Sequence, residues 1–198
     1  MPAVVTIDER KSRRAAGSRA SELAQLLNDE PDVATLMPFE VTVGDELQGV
    51  LFQPGHVVPV LRLIARDRGW WVGIGIGNIE MPGESTRLST GTAFVQARRA
   101  VDRAKKVPWG VAVEGTGWNR VSDLDRAIAL WTTLLHMRSP RGWETVDLRR
   151  RGLTEPEVAE QLGITQQAVN QRLRAAFFVQ EEEGALLIQS ISSEVRPL

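Results

Sequence analysis

The 198 residues contain no cysteine. Disulfides and thiolate metal sites are therefore excluded, and a reducing cytoplasm is the expected location. Histidine is scarce as well. His56 and His136 are the only two; they lie far apart in helical contexts, and neither has a partner at metal-ligand spacing. No apolar run approaches the ~20 residues of a membrane-spanning helix, so no membrane partner is expected. The opening residues, MPAVVTIDERKSRRAAG, have too short an apolar stretch before charge sets in to read as a signal peptide. There is no internal repeat and no low-complexity tract. Ser12, Ser85 and Ser89 lack the strand-turn-helix setting of an activated serine. Net charge is small, −1 at pH 7, which argues against a chain that binds polyanions over its whole surface.

What is present is concentrated at residues 153–176, LTEPEVAEQLGITQQAVNQRLRAA. Thr154 is a candidate N-cap, Pro156 sits near a helix start, and Glu157 completes a capping box. Val158, Ala159 and Leu162 give the first helix one apolar face. Gly163 suits a left-handed C-cap. Thr165 is placed to cap a second helix, which carries Ala168, Val169 and Leu173 inward. Ala159, Gly163 and Val169 supply a small residue at the helix crossing, a turn glycine and a β-branched anchor, the spacing of a helix-turn-helix. The outer face of the second helix offers Gln166, Gln167, Asn170, Gln171 and Arg174, side chains that read base edges in a major groove. The competing reading is a hairpin that only packs. Five long hydrogen-bonding side chains with no Glu among them favour double-stranded DNA. Thr165 and Arg172 complete the candidate DNA-binding set. Arg138, Arg141, Arg149, Arg150 and Arg151, with Arg172 and Arg174, offer a local basic surface for phosphates. Glu181, Glu182 and Glu183 follow it.

Residues 1–118 alternate strands and helices. The expected strands are Ala3–Ile7, Phe39–Val43, Leu47–Phe52, Trp70–Ile76 and Trp109–Val113. The expected helices are Ser18–Asn28, Gly55–Asp67 and Gly91–Lys105, and Glu80–Ser89 reads as a polar loop. The order is βαββαβ plus a further helix and strand, an α+β sheet of ferredoxin-like or palm type with helices mainly on one face. Glu114–Asn119, EGTGWN, is the expected linker. Residues 119–198 form a second domain, all-helical or winged, because Ala185–Ile191 reads equally as a terminal helix or a wing strand. The Ser122–Met137 stripe and the Leu186–Ile191 patch either support a homodimer or pack against each other within one chain. The six tryptophans fall mostly on apolar faces and are expected in the core.

A second constellation lies in the first domain. Asp8 ends the first strand, and Asp45 and Glu46 sit at the tip of a hairpin. In a βαββαβ sheet these places are neighbours, and Asp8 with Asp45 offers hard oxygen ligands for Mg²⁺. If the carboxylates are close, Arg10, Arg13 or Arg99 is the alternative partner. Gly73, Gly75 and Gly77 either border a ligand or lie where helices approach the sheet.

These segments carry a resemblance. TIDERKSRR, VTVGDELQGVL, WWVGIGIG and GTAFVQARRA, together with LTEPEVAEQLGITQQAVNQRL, resemble the SatD family of bacterial proteins over nearly the whole chain. The N-terminal half is more remotely similar to class III nucleotide cyclases and diguanylate cyclases, and Asp8 and Asp45 fall on their two metal positions. The resemblance implies a cyclase-like domain joined to a DNA-binding domain. Three departures weaken the catalytic part. Arg99 matches the helix Arg of those cyclases, but Val95 stands where they carry Asn. Val41 stands where they carry the purine-selecting Lys. No aromatic follows Asp8. Without donors for developing charge, turnover falls by orders of magnitude. The expected function is sequence-specific DNA binding for transcriptional regulation, with the first domain sensing a ligand such as a nucleotide, dimerising, or both. The alternative is metal-dependent nucleotidyl transfer or nucleotide binding at Asp8 and Asp45.

Overall fold

The computed structural model describes residues 1–10, 18–42, 44–80 and 85–198. The first strand, β1 (Ala3–Glu9), is followed by α1 (Ser18–Asp29), β2 (Thr35–Val41) and β3 (Leu47–Leu51). A 3-10 turn at Pro54–His56 then leads into α2 (Val57–Ile64), and β4 (Trp70–Ile76), α3 (Thr92–Ala104) and β5 (Val111–Glu114) complete the alternating part. The rest is helical: α4 (Val121–Met137), α5 (Pro140–Arg150), α6 (Glu155–Leu162), α7 (Gln166–Ala175) and α8 (Phe178–Ser193). The protein is thus mixed α+β, with a five-stranded sheet and eight α-helices among the described residues. Residues 185–191 lie in α8, so the choice left open between a terminal helix and a wing strand falls to the helix.

The sheet order is β2-β3-β1-β4-β5, antiparallel except for the parallel pair β4–β5. Strand β2 starts earlier than the expected Phe39–Val43 and runs from Thr35 through Pro38 to Val41. The strand lies at the sheet edge, and register shifts between Thr35 and Met37 and between Met37 and Glu40 accommodate that proline.

Side-chain alternation gives the sheet two differently covered faces. Ala3, Val5 and Ile7 of β1 join Val72, Ile74 and Ile76 of β4 in the main core. Residues of α1, α2, α4 and α8 close over them, including Leu27, Leu61, Leu124, Trp131 and Ile188. On the other face Val4, Met37 and Val50 meet Ala93 and Ala97 of α3. This helix lies close to the strands because β4 lacks side chains there. A Cβ on Gly73 would collide with the Ala97 carbonyl, and one on Gly75 with the Ala93 carbonyl. The glycines of the VGIGIG segment therefore serve helix approach.

The core crosses the expected domain boundary. Helices α4 and α8 pack on the sheet and on each other, and Gly55 donates its N–H to the Ser192 hydroxyl at 2.7 Å. The apolar stripes on these helices are thus largely consumed within one chain. Residues 114–119 are not a free linker either. Trp118 bridges Pro197, and Asn119 exchanges hydrogen bonds with Arg196 at 3.1 and 2.8 Å. Helices α5, α6 and α7 form a small core of their own, around Val146, Val158 and Val169.

Candidate nucleic-acid interface

Local sequence rules build the three-helix unit. Ser139 caps α5 by accepting the Gly142 N–H at 3.1 Å, with Pro140 at the first helical position. Thr154 and Glu157 form the capping box of α6; both the N–H and the hydroxyl of Thr154 donate to Glu157 Oε2 at 2.7 Å. These bonds, led by the hydroxyl, hold the exposed Glu157 carboxyl below its ordinary range. Gly163 ends α6 at φ 63°, and the Ile164 N–H returns to the Ala159 carbonyl at 3.0 Å. The Thr165 hydroxyl then accepts the Ala168 N–H at 3.1 Å and starts α7. Ala159, Val169 and Leu173 are buried where α6 and α7 meet.

That packing fixes what α7 presents. Gln166, Gln167, Gln171 and Arg174 are exposed, and Asn170 is half-buried. None of the five makes a side-chain hydrogen bond or ion pair within the described residues. Asn170 and Arg174, one turn apart, line a groove of about 440 Å³ with Glu155, Leu173, Phe178 and Val179. Two members of the expected set have other duties. Thr165 is a cap, and Arg172 leans back on α5, donating to Glu144 at 3.2 Å.

The basic surface is smaller than the sequence suggests. Arg138 is fully buried and donates through Nε and Nη2 to the Ala176 carbonyl at 3.0 and 2.9 Å, anchoring the end of α7. Arg150 pairs with Glu181 and Glu182, and Arg149 donates to the Leu153 carbonyl. Arg141, Arg151 and Arg174 remain exposed without an ion pair among the described residues.

Glu181, read in sequence as the start of an acidic run, is instead the centre of a buried network. Its carboxylate meets Arg62 of α2 at 2.6 Å, Arg150 of α5 at 2.5 Å and Arg138 at 3.6 Å. Its backbone carbonyl accepts the Trp131 indole N–H at 2.8 Å. Nearby, Trp143 lies between the guanidinium groups of Arg66 and Arg138, at 4.7 and 4.4 Å from its ring centre. The sheet and the three-helix unit are joined through these charges. Long-range pairing of this kind leaves no local sequence signal.

At the other candidate site, the β1–β3 register sets Ile7 opposite Leu47. The hairpin tip therefore lies at the end of β1 that carries Asp8. Gly44 takes φ 65° in the turn, which the Thr42 N–H closes on the Glu46 carbonyl at 2.8 Å. Asp8 pairs with Lys105, the residue that caps the end of α3, and Glu46 with Arg98. Two of the expected partners, Arg10 and Arg99, form no ion pair with Asp8. Arg10 donates to the Trp70 carbonyl at 3.0 Å, Arg99 is exposed on α3, and Arg13 lies outside the described residues, as does Ser12. Lys105 supplies the local positive charge from the C-terminal cap of the helix that the β4 glycines admit. Asp45 is half-buried with no partner among the described residues, and no group of three or more metal-ligating side chains forms there. Lys105 thus neutralises one of the two carboxylates that the sequence offers for Mg²⁺.

Ser85 and Ser89 have structural duties. The Ser85 hydroxyl donates to Glu40 at 2.8 Å and the Thr86 hydroxyl at 3.0 Å, while Ser89 donates to the Ser85 carbonyl at 3.0 Å. Partial burial raises the Glu40 pKa, but these hydroxyl bonds outweigh it and hold the carboxyl below its ordinary range.

Among the described residues no helix is long and apolar enough to cross a membrane. Comparison with family models, with curated proteins and with solved structures finds no match to this chain.

Proposed function

We propose that the chain is a sequence-specific DNA-binding transcriptional regulator of the SatD family, with α6 and α7 as its helix-turn-helix. One observation carries the reading. Helix α7 buries Val169 and Leu173 while holding Gln166, Gln167, Gln171 and Arg174 outward, exposed and without partners within the described residues. Amide and guanidinium groups are the side chains that recognise adenine and guanine edges bidentately. In this reading α7 enters the major groove with Gln166, Gln167 and Asn170 nearest the bases, and Arg174 reaches a phosphate or a base further along.

The sheet serves as a degenerate, palm-like scaffold. The order β2-β3-β1-β4, antiparallel throughout, agrees with a ferredoxin-like βαββαβ unit extended by α3 and β5. A two-fold homodimer would double the bases read, and exposed Leu130 and Met137 of α4 and Val179, Leu186 and Leu187 of α8 are apolar residues left for it. Nucleotidyl transfer has less behind it, since Asp8 faces Lys105. Selection of bound fragments from a genomic pool, followed by titration at several salt concentrations, tests the regulator. Specific fragments are expected to bind more tightly than random DNA. Equal binding of all fragments overturns the reading.

A further inference from the structure

Far from α7, three basic side chains from three separate elements meet beside one cavity. It measures about 440 Å³ and is lined by Arg68, Pro108, Trp109, Thr133, His136 and Met137. Arg68 follows α2, and His136 lies in the last turn of α4. Arg10, which follows β1, lies outside this lining but near enough to His136 to lower its pKa. Its Nε donates to the Trp70 carbonyl at 3.0 Å, and its tip fills the space over Gly110, next to Trp109, where φ is +71° and a Cβ would collide with it. Arg68 itself takes φ 49°, a left-handed conformation that costs a non-glycine residue about 1–2 kcal/mol.

Among the described residues no acid balances these groups. Neither Arg10 nor Arg68 forms an ion pair among the described residues, and the segment after Arg10, KSRRAAG, contains no carboxylate. Asp67, adjacent to Arg68, accepts from Arg19 at 2.8 Å and from the Trp70 indole at 3.0 Å instead. The repulsion is mutual. Burial, then Arg68, then Arg10 push the His136 pKa down to about 4, and Arg68 adds to the burial that lowers Arg10. Trp109 lines the same cavity. Two guanidinium groups thus stand near each other and near His136 with no counter-ion among the described residues, and an anion seated between them relieves that repulsion. Pro108, Trp109 and Met137 make the remaining wall apolar.

We propose that this cavity binds a small organic anion, a phosphate or carboxylate joined to a flat apolar group. Its charged end lies between Arg68, Arg10 and His136, and its body lies against Trp109 and Met137. The site requires no part of the DNA-binding reading and is tested without DNA.

The probes are phenyl phosphate and benzoate, with inorganic phosphate and neutral phenol as comparisons, titrated into the full chain while indole and imidazole NMR signals are followed. Phenyl phosphate, benzoate or both are expected to saturate below about 1 mM, a range consistent with fragments of this size, and to move the Trp109 and His136 signals. Saturation by only one of them identifies the anionic group. Arg68→Ala, at an exposed position, is expected to weaken binding about tenfold or more, the loss of one charge-assisted hydrogen bond. Arg68→Lys is expected to retain most of the affinity, and Arg151→Ala, a distant exposed arginine, to leave it unchanged. No saturation by either anion, equal binding by phenol, or unchanged affinity in Arg68→Ala overturns the proposal.

Discussion

Glu181 receives Arg62, Arg138 and Arg150 in a site where its own side chain and that of Arg138 are wholly buried. Removing one partner from such a cluster leaves the others desolvated and unmatched. Glu181→Ala is therefore expected to lower stability by about 3–5 kcal/mol, read as a shift in the urea midpoint. A loss well under ~1 kcal/mol, the range of an exposed ion pair, would contradict the account of this network. His136 gives a pH dependence of definite sign. Its folded pKa, about 4, lies below its ordinary 6.5, so the unfolded chain binds the proton more readily between these values. Its contribution is complete above pH 6.5, declines as pH falls towards 4, and amounts to on the order of 3 kcal/mol at most. Denaturant midpoints measured across this window are expected to fall with pH, and His136→Asn to flatten that slope. An unchanged slope in the variant would remove His136 as the cause.

Among the elements, those written in short-range chemistry were the most legible. Thr154, Glu157, Gly163 and Thr165 each act within one turn of themselves, and each takes the expected role. Other elements depended on what they pack against. The glycines of β4 left two meanings open in sequence, and only the position of α3 decides between them. Gly75→Ala is accordingly expected to push α3 off the sheet and destabilise the fold by about 1–3 kcal/mol, whereas Gly152→Ala, where a Cβ meets nothing and only φ 91° is strained, tests backbone strain alone. Equal effects at the two sites would contradict the packing argument. Helix α8 was ambiguous for a related reason. It buries Glu181 together with Ala185, Ile188 and Ile191 and exposes Leu186 and Leu187, so its apolar pattern has no clean helical face.

Across the whole molecule, the boundary expected at 118/119 follows a change of composition, from alternating strands to helices, rather than a break in the core. Helices α4 and α8 complete the sheet domain, and α5–α7 are carried on it by the Arg–Glu–Trp network. The arginines that looked like a phosphate-binding surface are partly that network, a distinction no linear pattern carries. The candidate DNA face was legible because helical periodicity sorts inward from outward residues. The partner of Asp8 was not, because Lys105 reaches it only through the tertiary fold. With few unpaired cations near α7, DNA binding is expected to depend less steeply on salt than the arginine count implies, and Arg174→Ala to reduce the slope further by about one phosphate contact. A slope unaffected by Arg174→Ala would take that residue out of the interface. The central claim is that the outer face of α7 reads DNA sequence. The most direct measurement is fluorescence anisotropy of the best selected genomic fragment and a scrambled duplex of equal composition, with wild type and Gln167→Ala. The account predicts about a thousandfold preference for the selected fragment, with Gln167→Ala losing roughly 1–3 kcal/mol on that fragment alone. Equal affinity for the two duplexes, or an equal loss on both in the variant, would contradict it.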